Sequence, residues 1–382
     1  MHRALYVCEL LRAIFDSLIS DNAEQSTLSA ACATTIWLEP ALDSLWREID
    51  DFKILLKLWP ADALTRDSAT GGYYRFVRPL DRLDWARFDF YAKRVRGLSA
   101  TLGRPCESFE GMPDLLHDTF CTDLGKSMTE IRRAVLLPNL RALELQGPVC
   151  STTHLATFLI NNRLQKLHIS PSSGDMHCAD HTFLRTIIQR KPPLRSVALP
   201  NVRVSAFYPC GSTAVTSSYP PTVTSIAIPD DAFRDKTFAA HITSLPCLEN
   251  IRLTSYYSLG VDFAHHTLRP LPSLRSLTAG RGTVRKLARY FPNLTRVTIS
   301  TLYDYDAPTE EEMQPSFDGF METVEALKAS CKHLQKLKVV WDKDDEMEEE
   351  VATCIRDMPL CWGQRDERRE LCVKVEEMEE AE

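Results

Sequence analysis

Between Val7 and Leu18 the large apolar residues are Val7, Leu10, Leu11, Ile14, Phe15 and Leu18. Spacings of three and four put them on one face of a helix. Arg12, Asp16 and Ser17 fall off that stripe. The polar stretch Ser20 to Ser26 interrupts the pattern, after which Ser26 or Thr27 can cap a second helix carrying Leu28, Ala31 and Cys32 on one side. Glu39-Pro40 marks a third start, since proline suits the first turn of a helix. Leu42, Leu45, Trp46 and Ile49 then keep helical spacing, and Phe52, Leu55, Leu56 and Trp59 carry it on to Pro60. Three short helices bury too little apolar surface to stand alone, so this front segment needs a further surface, either in the same chain or in a second protein.

Beyond residue 90 the period changes. A unit with apolar residues at positions four, seven and nine recurs as LPNLRALEL from Leu137, NNRLQKLHI from Asn161, KPPLRSVAL from Lys191, PPTVTSIAI from Pro220, LPCLENIRL from Leu245, LPSLRSLTA from Leu271, FPNLTRVTI from Phe291 and CKHLQKLKV from Cys331. A weaker copy, YAKRVRGLSA, starts at Tyr91. The leading apolar residues are Val95, Leu140, Leu164, Leu194, Val223, Leu248, Leu274, Leu294 and Leu334, and from Leu140 onward they are 24, 30, 29, 25, 26, 20 and 40 residues apart. Such periods are those of leucine-rich repeats. In each unit strand alternation turns residues such as Leu143 and Leu145 inward and Ala142, Glu144 and Gln146 outward. Helical stretches such as Ser151 to Asn161 and His181 to Arg190 can cover the opposite side.

These patterns predict an α/β chain: a leucine-rich-repeat solenoid preceded by a small three-helix domain. The segments are 1–60 helical, 61–80 linker around Gly71-Gly72, 81–341 irregular solenoid, and 342–382 an acidic end. Leu371, Val373 and Val375 in that end can add a capping strand. Pro308 to Ser316 reads as an exposed loop.

Charge narrows the function. The net charge is −7, and Asp342 to Glu382 alone carry −10, so the body is close to neutral. A nucleic-acid binder would show a basic footprint, and none is present. No apolar run is long enough to span a membrane. Glu9 and Arg12 break the apolar start in a way a secretory signal would not. Twelve cysteines without a CxxC pair fit reduced thiols in a cytoplasmic or nuclear chain.

The front segment resembles an F-box. The residues that carry the likeness are Leu5-x-Val7-Cys8-Glu9-Leu10-Leu11-x-x-Ile14-Phe15-x-x-Leu18, then Leu28-x-x-Ala31-Cys32, then Trp37-x-x-Pro40-Ala41-Leu42-x-x-Leu45-Trp46. Cys8 stands where that family usually has proline. The whole chain is similar to F-box proteins with irregular leucine-rich repeats. The resemblance implies a non-catalytic receptor: the head docks a Skp-type adaptor and through it a cullin–RING ubiquitin ligase, and the solenoid binds an unknown target protein. It assigns adaptor docking to Val7, Leu10, Leu11, Ile14, Phe15, Leu28, Pro40, Leu45 and Trp46. The plain alternative is an interaction scaffold whose front helices only cap the repeats. In that case Leu10, Ile14 and Trp46 should be buried against the chain's own repeats; in the adaptor case much of the stripe stays exposed.

The outward strand positions expected to meet a target include Glu144, Lys166, His168, Arg252, Arg296, Lys336 and Lys338. Five of these are basic and suit an acidic or phosphorylated segment. Catalytic signatures are missing. Gly125-Lys126-Ser127 has Phe120 where a phosphate loop needs glycine, and no GxSxG or HExxH occurs. His177, Cys178, Asp180 and His181 are the one group with metal-ligand character, in what reads as a loop entering a helix. No cofactor is expected.

Overall fold

The structure, a computed structural model, describes residues 7–67, 73–102, 116, 118–147, 149–171, 186–187, 189–199, 220–229, 236–254, 270–300, 317–341, 349–351, 353–354, 361–362, 369–370 and 372–377. The chain divides into two compact units, Met1–Pro193 and Leu194–Glu382.

The first unit opens with three helices, α1 (Cys8–Ser20), α2 (Glu24–Ala33) and α3 (Thr35–Leu45). Leu11 and Phe15 of α1 pack with Ala31 of α2 and Ala41 of α3 to make a small closed core. The turn between α1 and α2 explains why they meet so tightly. Asn22 takes a left-handed conformation (φ 57°). It donates to the Ile19 carbonyl while Ala23 donates to Leu18, a Schellman ending that asparagine tolerates. Two expectations change here. α2 starts at Glu24, before the expected cap, and buries Thr27 and Ala31 while Leu28 faces water. α3 starts at Thr35, so Pro40 lies inside the helix, where its missing N–H removes the bond to the Ile36 carbonyl.

The helical spacing read through to Trp59 is also broken. Glu48–Ile49 is a strand (β1), and the helix resumes as α4 (Phe52–Leu56). Tertiary pairing overrides the local pattern: β1 runs parallel to β4 (Gly97–Thr101), with Ile49 opposite Leu98. The first rung of the ladder thus lies within the residues read as the head. Part of the expected linker is structured too, since β2 (Leu64–Asp67) pairs antiparallel with β3 (Tyr73–Phe76); Gly71 and Gly72 lie outside the described residues. An aromatic group closes this region. Trp59 stacks on Phe88 at 4.9 Å between centroids and meets Trp85 edge-on at 5.9 Å, while Phe76 stacks on Phe120 at 4.9 Å.

From β4 the ladder continues through β5 (Ala142–Gly147) to β6 (Lys166–Pro171), all parallel. Helix α5 (Arg82–Ala92) precedes β4 in sequence, and α6 (Asp118–Glu130) and α7 (Val149–Leu159) lie between the strands. α5 begins with a capping box between Asp81 and Asp84, which satisfies N–H groups that otherwise have no partner.

The second unit repeats the scheme. β7 (Ser196–Ala198), β8 (Ser225–Pro229), β9 (Asn250–Thr254), β10 (Ser276–Ala279), β11 (Arg296–Ile299), β12 (Lys336–Trp341) and β15 (Cys372–Glu377) pair in parallel, each with the next. A small antiparallel pair, β13 (Cys361–Trp362) and β14 (Arg369–Glu370), precedes the last strand. The apolar residues of the repeat are the core: Leu248, Ile251 and Leu253, then Leu274, Leu277 and Ala279, then Leu294, Val297 and Ile299 are all buried.

Backbone hydrogen bonds tie successive units together at the strand starts. The carbonyl just before one strand accepts two N–H groups from the next unit. Arg47 accepts from Arg96 and Gly97 at 2.8 and 2.9 Å, and Arg96 accepts from Arg141 and Ala142 at 2.7 and 3.0 Å. In the second unit Thr224, Glu249, Arg275 and Thr295 each serve the following strand in the same way. The clamp is made by backbone groups, which leave little signal in the sequence, although Thr224 and Thr295 hydroxyls also donate to the Arg195 and Arg275 carbonyls, each at 3.1 Å. Pro308 to Ser316 and the group from His177 to His181 lie outside the described residues.

Candidate functional site

The apolar arc on α1 is wider than one layer of neighbours can cover. Leu11 and Phe15 are buried, and Leu18 is half-buried against the same core. The adjoining row, Val7, Leu10 and Ile14, stands in water, with Leu10 48% and Ile14 46% exposed. Leu28 on α2 is 53% exposed, and Ile36 and Leu38 on α3 are exposed as well. Six of the ten large hydrophobic residues exposed among the described residues therefore fall between positions 7 and 38. That concentration exceeds the single exposed leucines usual on a surface.

The residues assigned to docking thus divide. Val7, Leu10, Ile14 and Leu28 are exposed. Leu11, Phe15 and Pro40 lie inside the head and support the face from beneath, and Leu45 and Trp46 are half-buried. Trp46 turns toward the rest of the unit, its ring 4.4 Å from that of Tyr91 on α5. The opposed expectations for Leu10, Ile14 and Trp46 are accordingly split, two residues in water and one against the chain.

Arg94, just past α5, fastens the head. Its side chain is 3% exposed; one guanidinium nitrogen reaches Asp43 and the other lies 2.7 Å from Glu39, both on α3. Its charged plane also lies 4.8 Å from the Phe90 ring centre. A second link joins α1 to the end of α3. Asp16 accepts from Ser44 Oγ at 2.6 Å and from Arg47 at 2.5 Å. Partial burial alone would raise the Asp16 pKa, but those hydrogen bonds and the charges of Arg47 and Arg96 outweigh it and hold the carboxyl below its usual range.

The strand positions read as a target surface fall in both units, each with its own character. In the first, His168 Nδ1 lies 3.1 Å from Glu144 Oε1, and Lys166 shares a row with Glu48 through Gly97 and Ala142. Glu48 lies across Gly97 so closely that a Cβ there would sit 1.5 Å from its carboxylate oxygen. Loss of water raises the Glu48 pKa despite Arg47, Lys166 and Arg96 nearby. Carboxylates and cations are thus mixed on that face. In the second unit Arg252, Arg296 and Lys336 are exposed and Lys338 is half-buried.

Sequence reading missed three participants. Glu48 was hidden because its strand looked helical. Arg94 carried no signal until α3 supplied its partners. Tyr91 was read only as the start of a weak repeat copy. Among the described residues no group of three or more His, Cys, Asp or Glu side chains is arranged to hold a metal ion, and no helix is long and apolar enough to cross a membrane.

No protein-family model and no curated protein matches the chain. Among solved structures, the leucine-rich-repeat-containing protein LegL7 from Legionella pneumophila aligns over 68% of this chain and 79% of its own, with 14% identity and a TM-score of 0.33. The Rad7 and Elc1 complex in yeast aligns over 87% of this chain and 88% of the matched one, with 14% identity and a TM-score of 0.26. At those scores neither decides anything about this chain.

Proposed function

We propose that the chain is a non-catalytic receptor of a cullin–RING ubiquitin ligase. On this reading the head binds a Skp-type adaptor through Val7, Leu10, Ile14 and Leu28, and the outward strand faces hold a target protein. The adaptor brings the target near the ligase's catalytic partners, which raises its effective concentration there without any chemistry in this chain. The observation that carries the reading is the second apolar row of α1, left in water although the first row already fills the head's own core. It sits at the positions where the sequence resembles an F-box.

Leu10, Ile14 and Leu28 are each about half covered already, so full burial in an interface adds about 1 kcal/mol apiece, or about 3 kcal/mol together. Exchanging Leu10 and Ile14 for aspartate removes about 2 kcal/mol of that contribution and adds unpaired charge to the contact. Affinity for a purified Skp-type adaptor, measured by surface plasmon resonance, should fall by at least about 100-fold, with the melting temperature unchanged because both residues face water. Alanine at Phe15 is a poor probe, since Phe15 is core and its loss would unfold the head. The fastening of the head by Arg94 and Trp46 favours the competing reading, a scaffold with a capped end; in that case the unaltered chain binds no adaptor at all.

A further inference from the structure

We propose that the strand face of the second unit contains a phosphate-binding site, with Ser276 and Thr278 as its floor and Arg252 and Arg296 as its flanks, and that it takes a phosphorylated segment of an extended polypeptide. Strand register builds the site. Thr278 on β10 lies directly opposite Arg252 on β9, and Ser276 lies directly opposite Arg296 on β11. The alternate residues Leu277 and Ala279 are buried, so Ser276 and Thr278 belong to the outward face. Neighbouring strands are about 4.8 Å apart and the two arginines are offset by two residues along them, which sets their backbones about 12 Å apart with the hydroxyl strand between them. Both long side chains can converge above the hydroxyls from opposite sides. Lys336 extends the row, being opposite Arg296 on β12.

Charge on the face points to an anion. Arg252, Arg296 and Lys336 are exposed and have no ion-pair partner among the described residues. The row Ser225, Asn250, Ser276, Arg296, Lys336 and the row Ala227, Arg252, Thr278, Thr298, Lys338 contain no carboxylate. The first unit differs, with Glu144 beside His168 and Glu48 in the row of Lys166. Guanidinium groups match phosphate oxygens through paired N–H donors, and hydroxyls add further donors. A phosphoryl group near −2 gains more from two arginines than a carboxylate does. A long nucleic-acid polyanion is disfavoured by the chain's net charge of −7 and its acidic end. A single modified segment need not approach that end.

The site deepens the target-binding half of the function proposed above, but its test uses the full chain without adaptor, so failure of one does not imply failure of the other. The probe is a fluorescein-labelled peptide of alternating glycine and phosphoserine, compared by anisotropy with its unphosphorylated and aspartate versions. The phosphorylated peptide should bind at least about tenfold tighter than either control. Arg252→Ala with Arg296→Ala should remove that advantage, Arg252→Lys with Arg296→Lys should restore only part of it, and Lys332→Ala, off the strand face, should leave it intact. Equal binding of all three peptides, or no binding of any, overturns the site. So does a loss for Lys332→Ala as large as for the arginine pair, which would reveal only diffuse charge.

Discussion

At the residue scale the most informative contact is the one at Arg94. Its guanidinium is buried, but its two acceptors are not alike: Glu39 is largely in water and Asp43 is mostly covered. Removing Asp43 leaves a buried cation with a single, solvated partner, while removing Glu39 leaves the better-shielded pair in place. Asp43→Ala should therefore cost about 3 kcal/mol and Glu39→Ala about 0.5 kcal/mol, as read by urea unfolding. Asp84 is a second test. Bidentate hydrogen bonds from Arg78 lower its pKa; burial opposes them and the Asp81 N–H adds to them. A lowered folded pKa means stability that is complete above the unfolded value and is lost as pH falls through the folded one. Asp84→Asn should cost about 2 kcal/mol at pH 7, and the gap from the unaltered chain should shrink steadily below about pH 4. A gap constant with pH would mean that the charge of Asp84 does not matter.

At the scale of elements, what was legible was what repeats. The alternation in LPNLRALEL reports a strand with one buried face, and Leu140, Leu143 and Leu145 are buried as that pattern requires. The stripe on α1 was equally plain. Elements defined by distant partners were not. Ile49 fits the helical spacing of its neighbours, yet pairing with Leu98 makes it a strand residue. Pro40 looked like a helix start, because proline suits that position, but packing of α3 on α1 and α2 carries the helix through it. The clamp at the strand starts rests on carbonyls that every residue type supplies, so the sequence scarcely displays it. α6 offers a test of local geometry: Arg132 ends it in a left-handed conformation (φ 57°), donating to Thr129 while Arg133 donates to Met128. Arginine is strained there and glycine is not. Arg132→Gly should raise stability by about 0.5–1 kcal/mol, seen as a higher melting temperature; a drop would show that the side chain itself is needed.

At the scale of the whole molecule, the two units carry one design with different surfaces. Both stack parallel strands over leucine, isoleucine and valine cores, so the inward residues report the fold and the outward residues are free to vary. The front helices depart from this economy. They close a core with Leu11, Phe15, Ala31 and Ala41, then leave a further row of aliphatic side chains in water. The sequence pointed the same way, since three short helices bury too little apolar surface to stand alone and need a further surface. Which half of the stripe would stay open was beyond the sequence, because Leu10 and Leu11 are equally apolar and only the placement of α2 and α3 tells them apart.

Calorimetric titration of the full chain with a purified Skp-type adaptor tests the central claim most directly. The account predicts a saturable one-to-one complex with a negative heat-capacity change, the mark of apolar burial, and its loss when Leu10 and Ile14 become aspartate. Absence of binding by the unaltered chain, or binding that survives the exchange undiminished, would contradict it.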